Sequence, residues 1–266
     1  MMFLPEAKKT SQRAITTDEV RLLLSASANP RQRALIHILS ATGCRPTALA
    51  DLKMKDIEIM AHDFTSVLFY SGSKNEFQHF CHPEATNAIN DYLNNRKQTG
   101  EELEPESYVF CKLNCIGDEK GRMSGAGIGS VLEHLMKYAD ISRVKQNGKR
   151  YDLPVCNGLR NRFNTILKRD SNIPYAVAES FMDHKLRMES SYFKPTRLEL
   201  LNEYKKAVAE LVISKESLLK LENDNKQKHI EELESGKDIQ IKNMQLQIDS
   251  LMSMQGTVRE LMKLKH

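Results

Sequence analysis

Ala41-Thr42-Gly43-Cys44-Arg45-Pro46 marks the point where an apolar helix breaks at a glycine and restarts. Upstream of it, Ala34, Leu35, Ile36, Ile38 and Leu39 predict a buried helix. A glycine just past the last apolar residue is a helix-ending signal, because glycine takes the left-handed backbone at no steric cost. Arg45 is thereby presented at a helix-to-helix junction, and Leu49, Leu52 and Met54 supply the apolar side of the next short helix. Towards the N-terminus, Thr16-Thr17-Asp18-Glu19 is a helix start with acids in the first turn, and Leu22, Leu23 and Leu24 give that helix its apolar side. Residues 1–14 are polar and without periodicity, and read as a flexible arm.

Downstream, Phe64-Thr65-Ser66-Val67-Leu68-Phe69-Tyr70 predicts a strand and Phe77-Gln78-His79-Phe80-Cys81 its partner, joined by the turn chemistry of Ser71-Gly72-Ser73-Lys74-Asn75-Glu76. Helices are expected at about 85–97, 125–139 and 158–168, and Asn172-Ile173-Pro174 opens another that runs towards Met182. The expectation is a mainly helical domain with a small antiparallel sheet, an α+β fold. After Pro195 the composition shifts to a proline-free run rich in Leu, Glu, Lys and Gln. There Ile241, Met244, Ile248, Leu251, Gln255, Val258 and Met262 follow a three-four spacing, an apolar seam with one polar position. Ser235-Gly236 interrupts its register with the weaker seam of Tyr204, Val208, Leu211 and Leu218. The organisation expected is an arm over 1–14, a catalytic domain over 15–195 and a helical, coiled-coil-like tail over 196–266.

Five polar side chains stand in a set order along this frame: Arg45, Lys74, Arg160, His184 and Tyr192. Two guanidiniums, an ammonium, an imidazole and a phenol suit phosphoryl transfer without a metal. Guanidiniums clamp phosphate oxygens and offset developing charge, a phenol attacks and holds the phosphate, and lysine and histidine move protons. In their local contexts these residues resemble the tyrosine recombinases, a family that includes phage integrases. Thr42-Gly43-Cys44-Arg45 with Leu49, Leu52, Lys53 and Asp56-Ile57 is similar to that family's first arginine box. Leu159-Arg160-Asn161-Arg162-Phe163 is similar to the second, and Met182-Asp183-His184 with Tyr192 to the closing stretch.

The resemblance implies an integrase-like catalytic domain that cuts and rejoins DNA through a covalent phosphotyrosine. Its implied site is Tyr192 as nucleophile, Arg45 and Arg160 on the phosphate, Lys74 on its hairpin as proton donor, and His184 beside them. Three positions depart from the family pattern. Asn157 stands where a histidine or lysine is usual, Asp183 where glycine is usual, and Ala48 where an acid is frequent. Asparagine hydrogen-bonds a phosphate oxygen but exchanges no proton near neutrality, so Asn157 joins the catalytic set in a binding role. The resemblance also implies double-stranded DNA and further copies of the chain as partners, as a tetramer on two DNA sites. Members of the family usually carry a DNA-clasping domain before the catalytic one, and here a short arm precedes it.

Charge and cysteine usage bound the remaining choices. The net charge of +4 is modest. From Arg143 to Arg169, however, Arg143, Lys145, Lys149, Arg150, Arg160, Arg162, Lys168 and Arg169 face Asp152 as the sole acid. That local excess suits a DNA backbone, and Arg143, Lys145, Lys149, Arg150 and Arg162 are expected to touch it. Five scattered cysteines argue against a disulfide framework. His79, Cys81, His82, Cys111 and Cys115 match no common zinc-finger spacing, so no metal or other cofactor is expected. No apolar run reaches membrane-spanning length and no secretory signal opens the chain, so a cytoplasmic protein is expected. Two other readings fit the same residues: a type IB topoisomerase-like DNA-relaxing enzyme, and a catalytically weakened DNA-binding or assembly factor. Strand exchange against plasmid relaxation separates the first, and cleavage of a nicked duplex separates the second.

Overall fold

The computed structural model describes residues 12–112, 121–146, 150–169, 172–183 and 194–263. They run α1 (Thr17–Ala26), α2 (Pro30–Thr42), α3 (Pro46–Ala50), β1 (Ile57–Ile59), β2 (Thr65–Phe69), β3 (Phe77–Cys81), α4 (Pro83–Gln98) and α5 (Gly125–Tyr138). Then follow β4 (Lys145–Gln146), β5 (Arg150–Tyr151), α6 (Val155–Arg169), α7 (Tyr175–Phe181), α8 (Arg197–Leu211) and α9 (Lys215–Lys263). The helices and the β2–β3 hairpin lie close to their predicted positions. The third strand β1 and the short β4–β5 hairpin are additions, each too brief to leave an alternating pattern.

The core is built around α2. Every residue from Ala34 to Thr42 is buried, and the helix packs against α1, α4, α5 and α6. A helix enclosed on all sides has no polar face, which is why its apolar residues run almost continuously. Asn29 caps its start, the side chain accepting from the Gln32 amide at 3.0 Å, and Pro30 occupies the first turn, where its missing donor is not needed.

The other end of α2 is tied off group by group. Gly43 adopts φ +58° and donates its amide to Leu39 O at 2.9 Å. Thr42 Oγ1 donates to Ile38 O, and Tyr204 of α8 donates its buried phenol to Ala41 O at 2.9 Å. No side chain fits at 43. A Cβ there would stand 2.6 Å from Cδ1 of Phe163, on α6.

The sheet is antiparallel in the order β1-β2-β3, with Ile57 opposite Val67 and Val67 opposite His79. His79 is fully enclosed by the rings of Phe69, Phe77, Phe163, Phe181 and Tyr204. Its ring nitrogen accepts from the Phe80 amide, and burial pushes its pKa down to about 3, so it is neutral. His82 is equally buried. These histidines and Cys81 are core groups. Among the described residues, no cluster of three His, Cys, Asp or Glu is arranged to hold a metal.

After Pro195 the chain contributes to both of its compact units. Two units meet between Ser214 and Lys215. α8 belongs to the first, and buries Leu201, Tyr204, Ala207, Val208 and Leu211. Its exit is held by Glu84 at the start of α4, whose carboxylate accepts the amides of Ile213 (2.8 Å) and Ser214 (2.9 Å). Arg21 of α1 donates to Ile213 O at 2.7 Å. The second unit is α9, one helix of 49 residues, roughly 73 Å long at 1.5 Å per residue. It passes through Ser235-Gly236 without a break. Ile241, Met244, Ile248 and Leu251 are all more than half exposed on it. No helix among the described residues is long and apolar enough to cross a membrane.

Gly43→Ala is expected to lower stability by about 2–4 kcal/mol, the sum of a left-handed backbone cost and overpacking against Phe163. Urea denaturation checks this, and a loss below about 1 kcal/mol would contradict the fit described.

Candidate active site

The tied end of α2 is also where the two candidate phosphate-binding arginines converge. Arg160 lies one turn before Phe163 on α6, so the packing that places the ring against Gly43 places the guanidinium beside it. Nη1 donates to Gly43 O at 2.7 Å, and Nη2 donates to Met182 O at the end of α7. Two backbone carbonyls thus fix the plane of a group with five donors in a rigid fork. Burial lowers the Arg160 pKa, and the charge of Arg45 lowers it further. The two cations are therefore close enough to oppose each other, an arrangement that favours an anion between them.

Arg45 occupies the turn between α2 and α3, with Pro46 opening α3 behind it. Its side chain is 46% exposed, and Nη1 donates to Asp183 Oδ2 at 2.6 Å. Asp183 has φ +53°, in the left-handed region, directly after the end of α7. That conformation costs an ordinary side chain about 1–2 kcal/mol, and aspartate is among the few residues found there. Glycine at 183 would take this conformation without strain. The Arg45–Asp183 pair was not anticipated from sequence. A contact across 138 positions leaves no local signal.

Lys74 is exposed in the turn joining β2 and β3. The turn is ordered by its own bonds: Gly72 N donates to Glu76 Oε2 at 2.7 Å, and Ser73 N to Tyr70 O at 3.0 Å. At its base Tyr70 takes φ +53°, and its phenol shares a 2.9 Å hydrogen bond with the Thr47 hydroxyl. Thr47 lies two residues after Arg45, so the hairpin is docked onto the arginine junction. Asn157 is exposed on α6, one turn before Arg160 and on the same side of the helix. His184, Tyr192 and Lys149 lie outside the described residues.

The basic stretch needs correction. Arg162 is buried rather than presented to a groove: it donates to Thr17 Oγ1 (3.2 Å), Glu210 O (2.8 Å) and Leu211 O (3.3 Å), and burial pushes its pKa down to about 10. It is a strut joining α6 to α1 and α8. Arg143 has a nearly buried side chain paired through both nitrogens with Glu133 and stacked 4.3 Å over the Tyr151 ring. Lys168 pairs with Glu179 and Arg169 with Glu210. The acids that balance this stretch come from other elements, so they were invisible in the local charge count. Lys145 and Arg150 are exposed on the β4–β5 hairpin.

A model of the phage integrase family matches residues 13–196. No curated protein sequence matches the chain. Among solved structures, the chain is similar to XerA recombinase at 20% identity with a TM-score of 0.52, covering 74% of this chain and 65% of that one. It is similar to XerH site-specific recombinase bound to palindromic difH substrate at 15% identity and a TM-score of 0.51, covering 76% and 55%. For the Tn1549 transposon integrase in complex with a circular intermediate DNA the values are 17% and 0.51, covering 76% and 68%. At these identities the likeness is one of fold. The chain spans less than two thirds of the XerA and XerH chains.

The strut and the surface cations should separate experimentally. Arg162→Ala leaves the Glu210 and Leu211 carbonyls unpaired, and is expected to cost about 1–3 kcal/mol of stability without changing the salt dependence of DNA binding. Arg150→Ala should leave stability within about 0.5 kcal/mol and lower the log–log salt slope by about one. Denaturant melts and salt titrations of DNA affinity check both, and the reverse pattern would refute the assignment.

Proposed function

The chain belongs to the phage integrase family, and from that premise we propose that it is a site-specific recombinase cutting and rejoining double-stranded DNA through a covalent phosphotyrosine, without metal or ATP. The observation that carries this reading is the convergence of Arg45 and Arg160 at the end of α2, with Asn157 and the Lys74 hairpin attached to the same elements. Two opposed guanidiniums, one locked and one half-exposed, make an anion site of the kind a scissile phosphate needs.

In this reading Arg45 and Arg160 hold the non-bridging oxygens of the phosphate, and Asn157 donates to one of them. The Tyr192 oxygen attacks phosphorus as its phenolic proton passes to solvent water, balancing the proton given to the leaving oxygen. A Tyr–O–P bond forms as the bond to the leaving DNA oxygen breaks, and Lys74 protonates that oxygen. His184 positions the transferred proton or the phosphate. Rejoining reverses the step: a DNA hydroxyl attacks the phosphotyrosine and releases the phenol. The phosphodiester energy is conserved in the covalent link, so no nucleotide is consumed. Catalysis is assigned to residues 15–195, with α8 bracing them. The solved neighbours with XerH and Tn1549 names are complexes with DNA, which supports duplex DNA as the partner. The exposed seam of α9 supports pairing between copies when two sites are brought together, as a tetramer.

Incubation with a pool of nicked random-sequence duplexes, followed by denaturing gels, tests the chemistry. Wild type should trap a covalent adduct and Tyr192→Phe none, and Arg160→Lys should cleave about 10²–10³-fold more slowly, since a point charge does not reproduce the fork. A denaturant-resistant adduct in Tyr192→Phe would reject the nucleophile.

The tail has its own test. Deleting the residues after Gly236 should leave single-site cleavage within about twofold while reducing two-site strand exchange at least about tenfold, because the seam acts only between copies. Equal recombination by the truncated and full chains would remove α9 from assembly.

A further inference from the structure

Asp183 is the acid that faces Arg45, and three observations single it out. Its carboxylate reaches Nη1 at 2.6 Å in a partly covered pair, with side-chain exposures of 46% for Arg45 and 18% for Asp183. It is the ion-pair partner that Arg45 has among the described residues. It also sits at φ +53°, where glycine would be relaxed and would carry no charge. Arg160 differs from Arg45 in this respect. Its fork is held by the backbone carbonyls of Gly43 and Met182 rather than by the Asp183 carboxylate.

We propose that Asp183 is a stand-in for the DNA phosphate, occupying Arg45 until a phosphodiester displaces it. The proposal rests on reading Arg45 as a phosphate clamp. A carboxylate and a phosphate oxygen present the same charge and the same acceptor geometry to a guanidinium. A phosphate oxygen on Nη1 would face the Asp183 carboxylate as a like charge, so a phosphate engages that nitrogen only when the carboxylate leaves. Without DNA the carboxylate offsets the repulsion of Arg45 on Arg160: the charge of Arg45 lowers the Arg160 pKa and that of Asp183 raises it. It keeps Arg45 turned towards Arg160 and the end of α7, instead of out into solvent. The exchange also raises the threshold for casual phosphate contacts. A phosphate that meets Arg45 alone must displace an acceptor already in place, whereas one seated on Arg160 as well gains a second cation. Asp183 is thus a positioning residue that favours a fully docked backbone over a glancing one.

Fluorescence anisotropy of the full chain with a labelled random-sequence duplex, at fixed salt, tests the exchange. Asp183→Asn and Asp183→Gly should each tighten binding by about two- to fivefold, the range of one partly exposed charge pair. The same substitutions in an Arg45→Ala background should change affinity less than about twofold, because the acceptor then has nothing to vacate. An equal gain in both backgrounds would mean a general charge effect and would overturn the proposal. Unchanged or weaker binding by the Asp183 variants would overturn it too. Asp183→Gly keeps the left-handed backbone free of strain, so it guards against a folding defect in the asparagine variant. The comparison reads binding alone. A wild type that binds DNA but forms no covalent adduct would reject the recombinase reading while leaving the Asp183 result intact.

Discussion

The last turn of α2 cannot continue, and its backbone groups must still be satisfied inside the protein. That constraint organises the rest of the molecule. A helix end leaves carbonyls without partners, and burial makes each one expensive unless another element supplies a donor. Here the donors come from three directions: Thr42 and Gly43 locally, Tyr204 from α8, and Arg160 from α6, which takes the carbonyl of Gly43 itself. Phe163 fills the space that a side chain at 43 would need. Packing and polar satisfaction are therefore solved by one stretch of α6, and the solution leaves a guanidinium held beside Arg45. The candidate site is a by-product of closing the core.

Much of this frame was legible in the sequence because its signals are local. The capping box at Thr16, the glycine stop at 43, the β2–β3 hairpin and the starts of α5 and α7 each follow from a few adjacent residues with a known backbone preference. The candidate arginines were legible for a related reason: each sits in a short motif whose chemistry is recognisable alone. β1 was not, since three residues with one alternation are too few to distinguish a strand from a loop. The composition change after Pro195 does not coincide with a change in packing: Tyr204 and Leu211 of α8 are buried, and Tyr204 reaches the end of α2.

Charge proved the least readable property. Counting along the chain made 143–169 a basic face, yet Glu133, Glu179 and Glu210 return from elsewhere to neutralise Arg143, Lys168 and Arg169. Arg162 is consumed by carbonyls in the interior. Asp183 is the same lesson in reverse, an acid that reads as a mere departure from a motif until the fold brings it to Arg45. Electrostatic neighbours are set by tertiary contact, and one-dimensional charge runs describe only the side chains that stay at the surface.

The Glu84 carboxylate, receiving the amides of Ile213 and Ser214 while Arg21 grips the intervening carbonyl, has a mechanical meaning. It works as a cable clamp. A tug on the chain beyond Ser214 is passed first into α4 and α1, both rooted against α2. Just upstream, Arg162 of α6 takes the Glu210 and Leu211 carbonyls and shares the load. A load on the chain beyond Ser214 is thereby divided among several helices before any of it reaches the arginine junction.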